Sequence, residues 1–285
     1  MNSNSLMEYG ASEKRNGFYK FDVQRAINSL VNVRIDQKEK DFLLKFVTCL
    51  NLIKKFVSSK LPLTVWKFGD CTIKVRFLGE SYYFYLPTGY DFNIFLNPYF
   101  HEYDITQLIF RSLSLGDTFL DVGAHGGLYT IIASMKVKEN GKVLSFEPNP
   151  LNLNFLRLNI KLNGLNNINV IPKAVGDKSG KIRLFYSTHE TALTSAKGMG
   201  KNMIEVVVTT IDEAAGKLDF VKIMKVDTEG YDWNVLKGAL KTLRKVRFVI
   251  VEQNTSNIRE LLSNIGFQLS TLRPSGYLCA TNDMF

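Results

Sequence analysis

From Thr118 onward, short apolar runs alternate with stretches of helical spacing, and this alternation constrains the fold more than any other feature. Phe119–Val122, Val143–Phe146, Phe220–Val226 and Val246–Val251 are runs of strand length, and Val170-Ile171 ends another. Between and after them, Leu128–Val137, Leu151–Leu162, Trp233–Leu243 and Ser256–Ile265 carry the helical period. Strands covered on both faces lose the apolar/polar alternation of a half-exposed sheet. The sequence therefore predicts an α/β fold: a Rossmann-like, mostly parallel sheet with helices on both faces. Lys181–Tyr186 and Ile204–Thr209 read as an extra strand pair. Gln268–Leu272 and Tyr277–Ala280 read as a C-terminal antiparallel hairpin.

The chain upstream reads differently. Residues 1–17 are polar and charged, and a loose N-terminus is expected there. Residues 18–100 read as an N-terminal helical and β cap. Phe21 to about Ser59 has helical spacing, and three short alternating runs follow at 64–68, 71–77 and 82–86. Turns at Gly69-Asp70 and Gly79-Glu80-Ser81 would join those runs into a small antiparallel sheet. A helix over Tyr103–Ser114 and a Gly116-Asp117 turn lead into the alternating region, so residues 101–285 are expected to form the ligand-binding domain. A chain of 285 residues is long enough for both units.

The net charge of +9 favours anionic partners without identifying one. Lys45, Lys54 and Lys55 lie among the apolar residues Leu43, Phe46, Leu50 and Ile53. That pattern suits a helical cap on the core or peripheral membrane contact through a basic helix. Asp36, Glu39 and Asp41 interrupt the basic character and favour the cap. Cys49, Cys71 and Cys279 are odd in number and without CxxC spacing, which suits free thiols in a reducing compartment. The first residues lack a signal-peptide core, and no apolar run reaches membrane-spanning length. A cytoplasmic location is expected.

Chemistry-bearing residues fall at strand ends. Asp121-Val-Gly-Ala-His-Gly-Gly127 follows an apolar strand and opens a helix, where glycines let backbone approach a nucleotide-type ligand. Alone, such a loop is weak evidence, the alternative being a tight strand-to-helix connection, and it departs from the dinucleotide pattern GxGxxG. Glu147, in Val143-Leu-Ser-Phe-Glu-Pro-Asn-Pro150, stands where an acid can accept hydrogen bonds from both ribose hydroxyls. The alternative is a surface acid near a helix start. Asp227 and Glu229, in Lys225-Val-Asp-Thr-Glu-Gly-Tyr231, follow another core strand. They would lie beside the first loop unless they merely cap a helix.

Read together, these segments resemble the FkbM family of S-adenosylmethionine-dependent methyltransferases. The resemblance rests on Glu102, Gly116-Asp117, Asp121-Val-Gly-Ala124, Tyr129-Thr130, Glu147-Pro148, Ala174-Val-Gly-Asp177, Thr210-Ile-Asp212 and Asp227-Thr-Glu-Gly230, in that order. It implies a class I methyltransferase sheet and S-adenosyl-L-methionine as cofactor. It further implies that Gly123, Ala124 and Gly127 shape the loop around the methionine part, with Asp121 near its ammonium and Glu102 approaching from the preceding helix. Glu147 would take the ribose, and Ala174 and Val175 would lie near the adenine, helped by Asp177. Tyr129, Pro148, Asn149 and Asp227 complete the implied cofactor set. One departure stands out: His125-Gly126 occupies the place of the family's usual Asn and apolar residue. His125 either contributes only backbone or contacts the amino-acid end of the cofactor.

Methyl transfer from a sulfonium needs the acceptor in line with methyl and sulfur, so positioning carries much of the rate. A hydroxyl acceptor also loses a proton, and Asp227, Glu229 and Glu252 are the candidate acceptors of it. The same acids suit cofactor binding, or a divalent cation orienting a diol. The resemblance implies O-methylation of a sugar or other small molecule. The alternatives are a nucleic-acid methyltransferase, a nicotinamide dehydrogenase and a non-catalytic module. Against the first, the chain has no Asn-Pro-Pro-Tyr element and no basic cluster interleaved with stacking aromatics.

Overall fold

The computed structural model describes residues 71–77, 80–86, 102–186, 194–195, 202–273 and 275–284. The expectations for residues 1–70 and for residues 87–100 of the cap lie outside them. Two strands, β1 (Cys71–Phe77) and β2 (Glu80–Leu86), form a sheet of their own. The architecture below is that of the compact unit to which the described residues from Tyr82 onward belong.

Helix α1 (Tyr103–Ser112) precedes a seven-stranded sheet. Its strands are β3 (Thr118–Val122), β4 (Lys142–Phe146), β5 (Ile168–Ile171), β10 (Val221–Val226), β11 (Val246–Val251), β12 (Gln268–Thr271) and β13 (Leu278–Thr281). Across the sheet the order is β12-β13-β11-β10-β3-β4-β5. Strands β11, β10, β3, β4 and β5 run parallel, and β13 is antiparallel to both β11 and β12. The expected Rossmann-like sheet with a C-terminal antiparallel hairpin is therefore present. After β3 the chain builds β4 and β5 on one side, then returns to build β10 and β11 on the other. The crevice between the ends of β3 and β10 is the switch point where ligands bind in such sheets.

The two faces of this sheet are chemically unlike. Leu120, Val122, Leu144, Phe146, Met224, Val226, Val249 and Val251 point to one face. There they pack against Ile211, Ala215, Val235, Leu236, Leu243, Ile258 and Leu262 of the covering helices. Each fully buried aliphatic side chain of this kind contributes about 1.5–3 kcal/mol. Side chains alternate along a strand, so Asp121, Ser145 and Lys225 project to the other face. Asp121 pairs in register with Ser145 on one side and Lys225 on the other, which sets three buried polar residues in a row. Helix α2 (Leu128–Val137) covers them, and the Thr130 hydroxyl, 2.6 Å from Asp121 Oδ2 and 2.7 Å from Ser145 Oγ, joins the row.

The expected extra strand pair is present, β7 antiparallel to β9, within a four-stranded sheet ordered β6-β9-β7-β8. That sheet comprises β6 (Ala174–Val175), β7 (Gly180–Tyr186), β8 (Thr194–Ser195) and β9 (Asn202–Thr209). Directly after the end of β9 at Thr209, the Thr210 side chain caps helix α4 (Ile211–Ala215), which follows α3 (Pro150–Leu162) in the chain, by accepting from Glu213 N. The helix expected over Trp233–Leu243 is two helices, α5 (Asp232–Lys237) and α6 (Leu240–Leu243). It breaks at Gly238, where a Cβ would stand 2.0 Å from the Gly176 carbonyl oxygen. Gly238 O instead accepts from Asp212 N, and the Asp212 carboxylate accepts from Lys241 N and Thr242 N at the start of α6. Packing contacts far along the chain thus override a continuous helical pattern. Helix α7 (Ser256–Ile265) matches its expected bounds.

Candidate active site at the switch point

Strands β3, β4, β10 and β11 all end on one edge of the sheet, and each delivers part of the site there. At the end of β3, Gly123 has φ +82°, and a Cβ on it would meet the Asp227 carbonyl oxygen at 1.8 Å. Only glycine lets the loop after β3 pass this close to the segment after β10. The loop then folds back on β4: Gly123 N and Ala124 N both donate to Phe146 O. His125 follows with φ +51°, a left-handed conformation that costs a non-glycine residue about 1 kcal/mol or more. What offsets the strain is its amide, which donates to Glu147 Oε2 at 2.8 Å. Asn159 of α3 fixes the next residue by donating to Gly126 O at 2.8 Å, while its own oxygen accepts from Tyr85 N of β2 at 2.6 Å. One buried amide thereby ties β2 to the loop.

Glu147, at the end of β4, is only 3% exposed. Its other oxygen accepts from Asn149 N at 2.8 Å and lies 3.5 Å from Asn152 Nδ2. Burial pushes its carboxyl up to about 7, against the opposing pull of the Asn149 and His125 amides. Asn149 also caps α3, accepting from Leu151 N, with Pro150 in the first helical turn.

On the opposite side of β3 the acids are held by side chains. Lys225, 2% exposed, reaches Asp227 Oδ2 at 3.0 Å and Asp121 Oδ1 at 3.8 Å, and lies 4.8 Å from the centre of the Tyr129 ring. Burial works against its charge. Asp227, Asp121 and Glu102 outweigh it, so the ammonium stays protonated well above the ordinary lysine range. Burial raises the Asp121 carboxyl, and Lys225 and Thr130 pull it back. The Tyr129 hydroxyl donates to Glu102 Oε2. The Tyr277 hydroxyl, from the segment leading into β13, is 3.1 Å from both Glu102 Oε1 and Asp227 Oδ2.

Beyond this cluster, Glu229 has φ +51°. Burial and the nearby Asp227 raise its carboxyl to about 7. Glu252, at the end of β11, is raised to about 8 by burial and by Asp227, Asp232 and Glu229. Asp232 is fully buried and braces the two acid-bearing loops together: it accepts from Thr228 N at 3.0 Å and from Gln253 N at 3.0 Å.

The structure therefore brings Asp121, Gly123, Ala124, His125, Gly127, Tyr129, Glu147, Asn149, Asp227, Glu229 and Glu252 to the ends of β3, β4, β10 and β11, with Glu102 joined to them through Tyr129 and Tyr277. Ala174 and Val175 are buried in β6. Asp177 is paired with Lys237 at 3.0 Å. Sequence reading missed Lys225, Tyr277, Asp232 and Asn159. Lys225 carried a signal: a lysine inside an apolar strand, two residues from Asp227, shares its face. Nothing local marked Tyr277. Among the described residues there is no group of His, Cys, Asp and Glu arranged to hold a metal ion, and no helix long and apolar enough to cross a membrane.

These residues meet at the switch point of a doubly wound sheet. Comparison with known proteins makes the class specific. The family model of the methyltransferase FkbM domain matches residues 121–275, more than half of the chain. This chain belongs to that family. A hexuronic acid methyltransferase, AglP of Haloferax volcanii, is 33% identical over 160 residues, 53% of this chain and 62% of that protein, so the match spans less than two thirds of the relative. Among solved structures, methyltransferase FkbM from Methylobacillus flagellatus KT matches with a TM-score of 0.42 at 19% identity, over 58% of this chain and 43% of the other. A SAM-dependent O-methyltransferase from Thermotoga maritima matches with a TM-score of 0.42 at 15% identity, over 74% and 77%.

Proposed function

We propose that the protein is an S-adenosyl-L-methionine-dependent methyltransferase that methylates a hydroxyl on a sugar or other small molecule. The observation that carries this reading is the convergence at one switch point of a loop only glycine permits, Gly123, with acids on the two flanking strands, Glu147 and Asp227. The residues present fit the cofactor. Glu147 is an oriented carboxylate one strand from the loop, suited to a ribose. Asp121, Glu102 and Asp227 share one buried ammonium, Lys225, which leaves the crevice suited to a cationic amino-acid end. When bound, the cofactor supplies an electrophilic methyl on a positively charged sulfur.

An acceptor hydroxyl taking that methyl would have to give up its proton, and a carboxylate of the crevice would receive it. Glu229 and Glu252 suit that role, because an acid that titrates near neutrality is a competent proton acceptor there. Asp227 suits ligand binding better, since Lys225 and Tyr277 both occupy its Oδ2. The name of the Haloferax relative supports a sugar acid as acceptor class. A cytoplasmic location fits the buried free thiol of Cys279.

Two measurements test the reading. S-adenosylhomocysteine should raise the melting midpoint where NAD does not, because a ligand of the native state stabilises it by mass action. Labelled methyl should pass from S-adenosylmethionine to a uronic-acid glycoside. A midpoint moved by neither nucleotide, with no labelled product from any glycan, would overturn the proposal.

A further inference from the structure

The Tyr277 hydroxyl reaches the crevice from the C-terminal hairpin, a part of the chain that the cofactor residues discussed above do not include. It stands between Glu102, at the start of α1, and Asp227, beyond β10, 3.1 Å from each. The single phenol proton is thus shared between two carboxylates that would otherwise repel. The far oxygen of Glu102 is held by Tyr129, and Lys225 sits on the same oxygen of Asp227 that Tyr277 touches. All three donors are buried, whereas the Asp227 side chain is 21% exposed and Glu102 is half-buried. The acids are gripped from the protein interior and stay partly exposed.

The backbone around Tyr277 is equally fixed. Leu272 N donates to Tyr277 O, Ser275 N and Oγ donate to Asp104 of α1, and Leu278 pairs with Val251 of β11. The hydroxyl is therefore placed by sheet register and by α1 together. A ligand that meets Glu147 through its sugar and lies across the Gly123 loop would present its other end on the β10 side, at Asp227 and Glu102.

We infer that Tyr277 is a positioning residue, one that sets the spacing of Glu102 and Asp227 so that the two carboxylates jointly receive the ammonium-bearing end of the adenosyl ligand. The inference rests on the proposed cofactor, and its test separates the two. The full chain and its Tyr277→Phe variant are titrated by calorimetry with S-adenosylhomocysteine and with 5′-methylthioadenosine. The second probe keeps the nucleoside and thioether and lacks the amino-acid end.

Phe keeps the ring and removes only the hydroxyl. Affinity for S-adenosylhomocysteine should fall about tenfold, the weight of one hydrogen bond to a charged group. Affinity for 5′-methylthioadenosine should be unchanged. Unchanged binding of both probes, or equal loss of both, overturns the inference, the latter because general damage to the crevice does not discriminate. Wild-type protein that binds neither probe overturns the cofactor reading and this inference with it. Glu102→Gln carries the same selective prediction and decides the matter should the Phe variant not fold.

Discussion

The two sides of the Gly123 loop hold their acids by different means. On the β4 side, Glu147 is held mainly by backbone amides, those of His125 and Asn149, within 22 residues of it in the chain. On the β10 side, Asp227 is held by the ammonium of Lys225 and the hydroxyl of Tyr277, which lies 50 residues away. A backbone grip survives any local change of side chain that keeps the loop conformation. A side-chain grip depends on particular residues from separate elements, so it is selective but vulnerable. The difference teaches that neighbouring acids of one crevice need not be equally robust to mutation.

Lys225→Met should break the comparison most severely. It leaves Asp121 fully buried with no cation beside it, and losing one partner of such a pair costs about 3–5 kcal/mol. Denaturant unfolding at pH 7 would measure it. The sign with pH follows from the shifts. A lysine raised in the folded state contributes its full stability below the ordinary lysine range, so wild type retains all of it at pH 7. The variant, by contrast, gains stability as pH falls and Asp121 takes up a proton.

Asn152→Ala should be much milder. It removes the one side-chain donor to Glu147, at 3.5 Å, and leaves both amides in place. A loss of about 1 kcal/mol in the same experiment would fit, and a loss as large as that of Lys225→Met would erase the distinction between the two sides.

The smallest effect concerns Glu252. Glu147 and Glu229, raised to about 7, and Glu252, raised to about 8, hold protons in the folded state that the unfolded chain has already released. Stability should therefore fall as pH rises from the ordinary carboxylate range towards 8. Glu252→Gln removes one contribution, and the midpoint-against-pH curve of the ligand-free protein should become shallower. An unchanged slope would contradict the shift assigned to Glu252.

The same division explains what the sequence made legible. The parallel sheet, the Gly123 loop, Glu147 and Asp227 are announced by residues adjacent in the chain: an apolar run, then glycine or an acid at its end. The break at Gly238 was invisible because its cause, the Gly176 carbonyl, lies far away in sequence. Tyr277 was missed for the same reason. Some motif residues proved architectural in the structure: Thr210 caps α4, Asp212 holds the start of α6, and Asp117 accepts from Ser114 N at 2.7 Å. A motif can therefore be read correctly for family while its members divide between chemistry and folding. His125 illustrates the point differently, since its amide, whatever the side chain, is what orients Glu147.

The most direct test of the account is calorimetric titration of Glu147→Ala with S-adenosylhomocysteine beside the wild-type protein. The account predicts a loss of about tenfold or more, because an oriented carboxylate on the ribose hydroxyls would be gone. Full wild-type affinity in a folded variant would contradict the assignment of Glu147, and with it the placement of the ligand across the Gly123 loop.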